Sequence, residues 1–467
     1  MPNRGNADSF PNRGKSNKSQ FQDSDLEQVE LFFYKGNLNE ALKKLVKLEE
    51  MGGCNLVRMR GKILKSLIFT QMGDVVGGLN LADQVIEESQ QIGELLVLFD
   101  AIVAKGSALF GLGELDTCFE VIKTAENILI PVKAKDQPEY IKRDSRLRFL
   151  RGKVYRKKGD LDLALHYLRD SFFVVQEYGN QYEQADILNN LGIVHASRSE
   201  HDPALDFLMK SLELFVELDN QSQVIKLTNN IGMIYWLKGE LDQALEYYKR
   251  SLVLSDKEKN KRDYALILLN IGLIHRNKGD LDPALDYLEK GLKIYEELRS
   301  KSELATFYNN IGVIFQIKGE LDEALEYYQK SLVIAEELGD KQEIATSLGN
   351  IGDIYQYQGN NKKAVSYYKK SLELFIGIGN DVNTSRLLLT LITIFETSKG
   401  DHDQLNVYLE KLRKIESKEK NKLINQVYRL GKAITLKSSG RIIDIAEAQQ
   451  IFKEITQEEI LYIGYTV

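Results

Sequence analysis

Apolar residues recur along this chain at helical spacing. Leu227, Ile231, Ile234 and Tyr235 stand at i, i+4, i+7 and i+8, one apolar stripe on a helix. Gly239 follows, suited to the left-handed conformation that ends many helices. A second stripe begins at once with Ala244, Leu245, Tyr248 and Leu252. Asp242 is the expected N-cap of that second helix, and Asp162, Asp202, Asp282 and Asp322 hold the same place. Pro203 and Pro283 directly follow their aspartates, in a first turn where proline is tolerated. The pattern is helix, turn, helix.

This unit repeats. Asn190-Leu-Gly192-Ile-Val-His195 aligns with Asn230-Ile-Gly232-Met-Ile-Tyr235, then with Asn270-Ile-Gly272, Asn310-Ile-Gly312 and Asn350-Ile-Gly352, always about 40 residues on. Turn glycines recur at Gly239, Gly279, Gly319 and Gly359, with Ser199 in that place once, and alanines at Ala164, Ala204, Ala244, Ala284, Ala324 and Ala364. Small residues at Gly232 and Ala244 let two helices approach closely. Turn glycines at Gly36, Gly73, Gly113, Gly400 and Gly440 extend the register both ways, for about eleven helix pairs over roughly residues 25–460. One pair cannot bury its own apolar face, so neighbours must stack.

A Leu-Gly-x-x-Tyr helix followed by an Ala-x-x-x-Tyr helix resembles the tetratricopeptide repeat (TPR) family, most closely from about 140 to 400. The usual repeat is ~34 residues. The longer unit here is similar to the repeats of kinesin light chain and Partner-of-Inscuteable proteins. The final proline common in the family is absent, with Asp256 near its place. The resemblance implies an all-α TPR solenoid, a right-handed superhelix of antiparallel helix pairs with first helices lining a concave groove. The expected organisation is a disordered tail at 1–24, degenerate repeats at 25–130, a proline-containing break at 131–140, regular repeats at 141–400, and degenerate repeats with a capping helix at 401–467.

Composition narrows the class. The chain has 467 residues, 43% hydrophobic and 28% charged, with only six prolines, which fits a folded and mostly helical protein. Cys54 and Cys118 cannot build a disulfide framework or a four-ligand zinc site, so a reducing, cytoplasmic setting is expected. No apolar run of membrane-span length and no secretory signal is apparent. Net charge is −6, so nucleic acid is an unfavoured partner.

Catalytic motifs fail one by one. Gly14-Lys15-Ser16 resembles the end of a phosphate loop, but Ser9 stands where its first glycine belongs and no strand precedes it. His195 and His275 occupy the repeat's aromatic position and read as packed rings. The recurring carboxylates of the second helices, such as Glu240, Asp242 and Glu246, read as a solvated face. No nucleophile–base set emerges, so no enzyme activity, cofactor or metal is implied.

Binding chemistry falls on the first helices. Asn190, Asn230, Asn270, Asn310 and Asn350 form a ladder two residues before each glycine. In related long-repeat proteins, matching asparagines hold the backbone of an extended peptide, since an amide both donates and accepts. The alternative is that they tie repeat to repeat. Met233, Trp236, Leu237, Arg276, Gln316 and Tyr357 are expected beside the ladder, with Trp236, the sole tryptophan, as a candidate anchor. Residues 141–158 carry nine Lys/Arg against one Asp, a net of +8 that leaves −14 for the remainder. Arg143, Arg146, Lys153, Arg156 and Lys157 share a basic stripe suited to an acidic peptide or a phosphate. Arg151 stands where later copies hold Leu or Ile. The Lys/Asn carboxylate clamp of chaperone-binding relatives is absent.

The leading expectation is a non-enzymatic scaffold binding an extended, acidic peptide of a protein partner in the groove. The runner-up is a sensory or regulatory module that changes superhelical shape on ligand binding and controls a separate effector. Self-association through the terminal repeats is a further expectation, because neither end carries a strongly polar cap.

Overall fold

A computed structural model describes residues 22–133, 137–255, 260–398, 402–418 and 421–458. The phosphate-loop remnant at Gly14–Ser16, nearly all of the 1–24 tail, Asp256 and Gly400 lie outside them. The chain divides into two compact units, up to Leu254 and from Ser255.

The first unit holds α1 (Asp23–Tyr34), α2 (Leu38–Met51), α3 (Asn55–Met72), α4 (Val75–Ile92), α5 (Leu95–Leu112), α6 (Leu115–Lys133), α7 (Gln137–Lys158), α8 (Leu161–Tyr178), α9 (Gln181–Ser197), α10 (His201–Glu217), α11 (Gln221–Leu237) and α12 (Leu241–Leu254). The second holds α13 (Lys261–Lys278), α14 (Leu281–Leu298), α15 (Lys301–Lys318), α16 (Leu321–Leu338), α17 (Lys341–Tyr357), α18 (Asn361–Gly377), α19 (Asp381–Thr397), α20 (His402–Lys418), α21 (Lys422–Ser438) and α22 (Ile442–Gln457). Odd-numbered helices are the first helices of each pair. In each unit a helix packs on the next in sequence, and successive first helices also touch: α1, α3, α5, α7 and α9 in one unit, α13, α15 and α17 in the other. Both units are α-solenoids.

The repeat residues explain this stacking. A Cβ on Gly312 would meet the Tyr328 ring at 2.8 Å, and one on Gly232 the Tyr248 ring at 3.0 Å, so glycine sets the distance between paired helices. Ser211, Ser251 and Ser371 each send a buried hydroxyl to a first-helix carbonyl 26 residues earlier. Ser199 takes the left-handed turn conformation (φ 61°) that its glycine equivalents adopt more cheaply.

Three expectations change. The N-cap positions of the second helices are Asp160, Glu200, Asp280 and Glu320, which puts Asp162, Asp202, Asp282 and Asp322 inside the first turn. There Asp162, Asp202 and Asp282 pair with Arg198, Lys238 and Lys318 of the following repeat. Second, α5 is long and apolar enough to cross a membrane by length and composition. In this fold it is a core helix, with Phe99, Ala101, Ala104 and Ala108 buried against its neighbours. Third, the place that later copies give to Leu or Ile is a polar one here, where Arg151 pairs with Glu126 at 2.7 Å and lies over the Tyr167 ring. Helix α6 continues through Pro131, and α7 begins at Gln137.

Candidate functional site

The first helices carry the candidate residues, and the aromatic pairs beside them fix each helix against its partner. His195 stacks on Phe207 and His275 on Tyr287, like Tyr235 on Tyr247 and Phe315 on Tyr327. Their Nδ1 atoms face Glu200 and Asp280, so both histidines are packed rings. No metal-binding cluster occurs among the described residues.

In the second unit the asparagine ladder is partly engaged within the protein. Asn310 donates to the Thr306 carbonyl at 2.9 Å and accepts from Arg276 Nη1 at 3.1 Å. Asn350 donates to Asn309 Oδ1 at 2.7 Å. Asn270 is half-buried on α13. Gln316 accepts from the buried Tyr328 hydroxyl, while Tyr357 is 57% exposed. Asp353 accepts from the Tyr368 hydroxyl at 2.5 Å. Burial pushes its carboxyl up to about 6, against the opposing effect of that hydrogen bond.

In the first unit Asn190 is buried, and its Nδ2 donates to the Asp186 carbonyl (2.9 Å) and carboxylate (3.2 Å). Asn230 is half-buried. Met233 and Leu237, one turn apart on α11, are exposed, with Trp236 half-buried between them. The basic stripe splits. Arg143 is 7% exposed and sits between Asp100, at 2.8 Å, and Glu139, so it serves the core of the first unit. Arg146 pairs with Glu183 at 2.8 Å. Burial works against its charge, yet Glu183 and Asp100 more than compensate, and its pKa rises. Lys153 lies over the Phe110 and Phe149 rings, and Lys157 over Phe110. Neither these two nor Arg156 has a carboxylate within ion-pairing distance among the described residues, whereas Lys142, Arg143, Arg146, Arg148, Arg151 and Lys158 all do.

One feature of this wall left no trace in the sequence. The turn after α1 docks on the N-terminal ends of α9 and α11. Asn180 Nδ2 donates to the Tyr34 hydroxyl at 3.2 Å, and Asn220 Nδ2 to the Tyr34 carbonyl at 2.8 Å. Phe33 and Tyr34 pack on Tyr182, whose hydroxyl accepts from Gln71. Burial pushes the Tyr34 hydroxyl up to about 12. These contacts span 111 to 186 residues, beyond the reach of any repeat pattern.

Comparison with known proteins follows the same lines. The family model described as tetratricopeptide repeat matches residues 145–215, 223–297 and 303–376. No curated protein sequence matches the chain. Among solved structures, the apo form of RapI superposes with a TM-score of 0.61 at 15% identity, covering 86% of this chain and 99% of that one. The apo quorum sensor NprR from B. thuringiensis gives 0.62 at 17%, covering 76% and 98%. A Rap protein complexed with Competence and Sporulation Factor gives 0.54 at 14%, covering 77% and 98%. At these identities the likeness is one of fold. With their 40-residue register, their paired helices and the matched family model, residues 145–376 of the chain are tetratricopeptide repeats.

Proposed function

We propose that this chain is a non-enzymatic scaffold that holds an extended, acidic segment of a protein partner on its first-helix faces. One observation carries the reading. Of the nine cations in 141–158, Lys153, Arg156 and Lys157 are expected to face the first-helix wall. These same three lack ion pairs among the described residues, while stripe members such as Arg143 and Arg146 are neutralised by the protein itself. Cations without an ion-pair partner on a wall of amides attract a carboxylate-bearing chain. Exposed Met233 and Leu237 beside Trp236 supply apolar contact for the same segment.

The test is peptide-display selection on the full chain. Selected sequences rich in Asp and Glu, with binding that weakens as salt rises, support the proposal. Enrichment of basic or neutral sequences refutes the acidic preference, and failure to enrich any peptide refutes the scaffold reading. A regulatory role is favoured by the fold shared with a quorum sensor and with a Rap protein solved in complex with Competence and Sporulation Factor. It requires a change of shape on binding, which small-angle scattering with and without a selected peptide would register.

A further inference from the structure

The junction between α2 and α3 is built unlike that between α4 and α5. It is Gly52-Gly53-Cys54, with two glycines in a row. Gly93, at the end of α4, takes the left-handed turn (φ 80°, ψ 21°). Gly52 instead holds φ 69° with an extended ψ of 144°, a conformation open to glycine and disfavoured for other residues. A Cβ on Gly52 would meet nothing within 4 Å, so the glycine serves the backbone and no neighbour packs into the bend. The α1–α2 hairpin is thus joined to the stack through a pliable joint. It shares a core with α3 through Leu26, Val29, Leu45 and Leu64, and Tyr34 takes no part in that core.

The tip of the hairpin is fastened to α9 and α11, 146 and 186 residues further along the chain. Asn180 and Asn220 cap those helices. Each accepts a backbone N–H through Oδ1, from Glu183 at 2.9 Å and from Gln223 at 3.1 Å. That leaves the Nδ2 groups for other acceptors, and both go to Tyr34. The turn lies directly on its seat, since a Cβ on Gly36 would come 2.6 Å from Asn220 Oδ1. Asn220 is 1% exposed, and its buried amide takes a backbone carbonyl, the group that any extended segment offers. The seat also belongs to the wall. Tyr182, packed against Phe33 and Tyr34, stands at i, i+4 and i+8 with Asp186 and the ladder residue Asn190.

We propose that the α1–α2 hairpin is a latch on the first-helix wall. Its turn at 33–36 covers the first turn of the α9 stripe and occupies the Asn220 amide. A bound segment displaces it by supplying its own backbone carbonyl to Asn220 and its own apolar side chain to Tyr182. This rests on the peptide-binding reading above and names how access to that wall is regulated. Closure and binding draw on one amide, so a buried donor is satisfied in both states and left unmade only between them. Opening is a tilt at Gly52 and Gly53 that parts the seam while the core shared with α3 persists. Gln71 of α3 donates to the Tyr182 hydroxyl at 2.8 Å and holds that ring whether the turn is docked or lifted.

Peptides enriched on the full chain are labelled, and their affinities are measured by fluorescence anisotropy. Tyr34→Phe removes the latch's hydrogen bond to Asn180 and should tighten binding about two- to tenfold, the usual range for one neutral hydrogen bond. Tyr34→Ala removes the ring as well and should tighten it at least as much. Asn220→Ser keeps a cap on α11 but not the reach of the amide. Added to Tyr34→Ala, it should weaken binding about two- to tenfold, because Asn220 then holds only the peptide. A purely structural seam would not give opposite signs for the two partners of one hydrogen bond. On wild type, the peptide should speed hydrogen exchange over residues 32–37, an arm that stands whether or not the variants fold. Unchanged or weaker binding by the Tyr34 variants, no loss on adding Asn220→Ser, or exchange over 32–37 that the peptide leaves unchanged or slows overturns the latch and leaves peptide binding standing. A library that yields no peptide overturns the broader reading and the latch with it.

Discussion

Gly349 and Gly352 lie three residues apart on α17, and replacing each by alanine should shift stability in opposite directions. Either change gains about 1 kcal/mol from helix propensity, because alanine loses less backbone entropy. At Gly349 a Cβ would meet only Ser371 Oγ, at 3.5 Å, an ordinary contact. At Gly352 it would lie 2.8 Å from both Cδ1 and Cε1 of Tyr368. That ring cannot retreat: it is fully buried, and its hydroxyl is tied to Asp353 at 2.5 Å and Gln356 at 2.7 Å. Overpacking of a core side chain costs about 1–3 kcal/mol, and a ring that cannot move puts this case in the upper part of that range, about 2–3 kcal/mol. Gly349→Ala should therefore stabilise by about 0.5–1 kcal/mol, and Gly352→Ala should destabilise by about 1–2 kcal/mol after the propensity gain is set against it. A solenoid of this length does not unfold in one step, so the assay is native-state hydrogen exchange of the α17 and α18 amides. Equal signs for the two variants, or a neutral Gly352→Ala, would refute the claim that the glycine register sets helix spacing.

Two further outcomes follow from buried charge. Asp353 has a folded value of about 6 against an unfolded value near 4, so the native state holds its proton more tightly and stability falls as pH rises from about 4 to 6. Because the carboxyl is partly accessible, the fall should be about 1–2 kcal/mol; Asp353→Asn should remove it, as measured by exchange protection of α18 at pH 4 and pH 7, and identical pH profiles would refute it. Arg143→Met leaves Asp100 without its partner in the core of the first unit and should cost about 3 kcal/mol, read as lost protection in α5 and α7; a cost under about 0.5 kcal/mol would contradict a structural role for this cation.

Much of the fold is legible residue by residue. The i, i+4, i+7 stripes, the turn glycines and the buried alanines such as Ala244 and Ala284 all act between neighbours in sequence, and helical periodicity reports such neighbours directly. The same holds for His195 and His275, whose place in the repeat marks them as rings to be stacked. N-caps were misplaced by two residues because an aspartate in the first turn suits the helix dipole as well as one at the cap.

The site was legible only in outline. The sequence alone determined that amides and cations recur on first helices, because a 40-residue period returns each position to the same face. Tertiary structure decided which of them are already used. Arg143 and Lys153 share a stripe, yet one meets Asp100 from α5, 43 residues earlier, and the other lies over the Phe110 and Phe149 rings. Asn190 and Asn310 share a register and both donate to the carbonyl four residues back, yet Asn310 also accepts from Arg276 while Asn190 also reaches the Asp186 carboxylate. The choice depends on what neighbouring helices present within ~3 Å, a distance fixed by stacking and side-chain rotamers that periodicity does not encode.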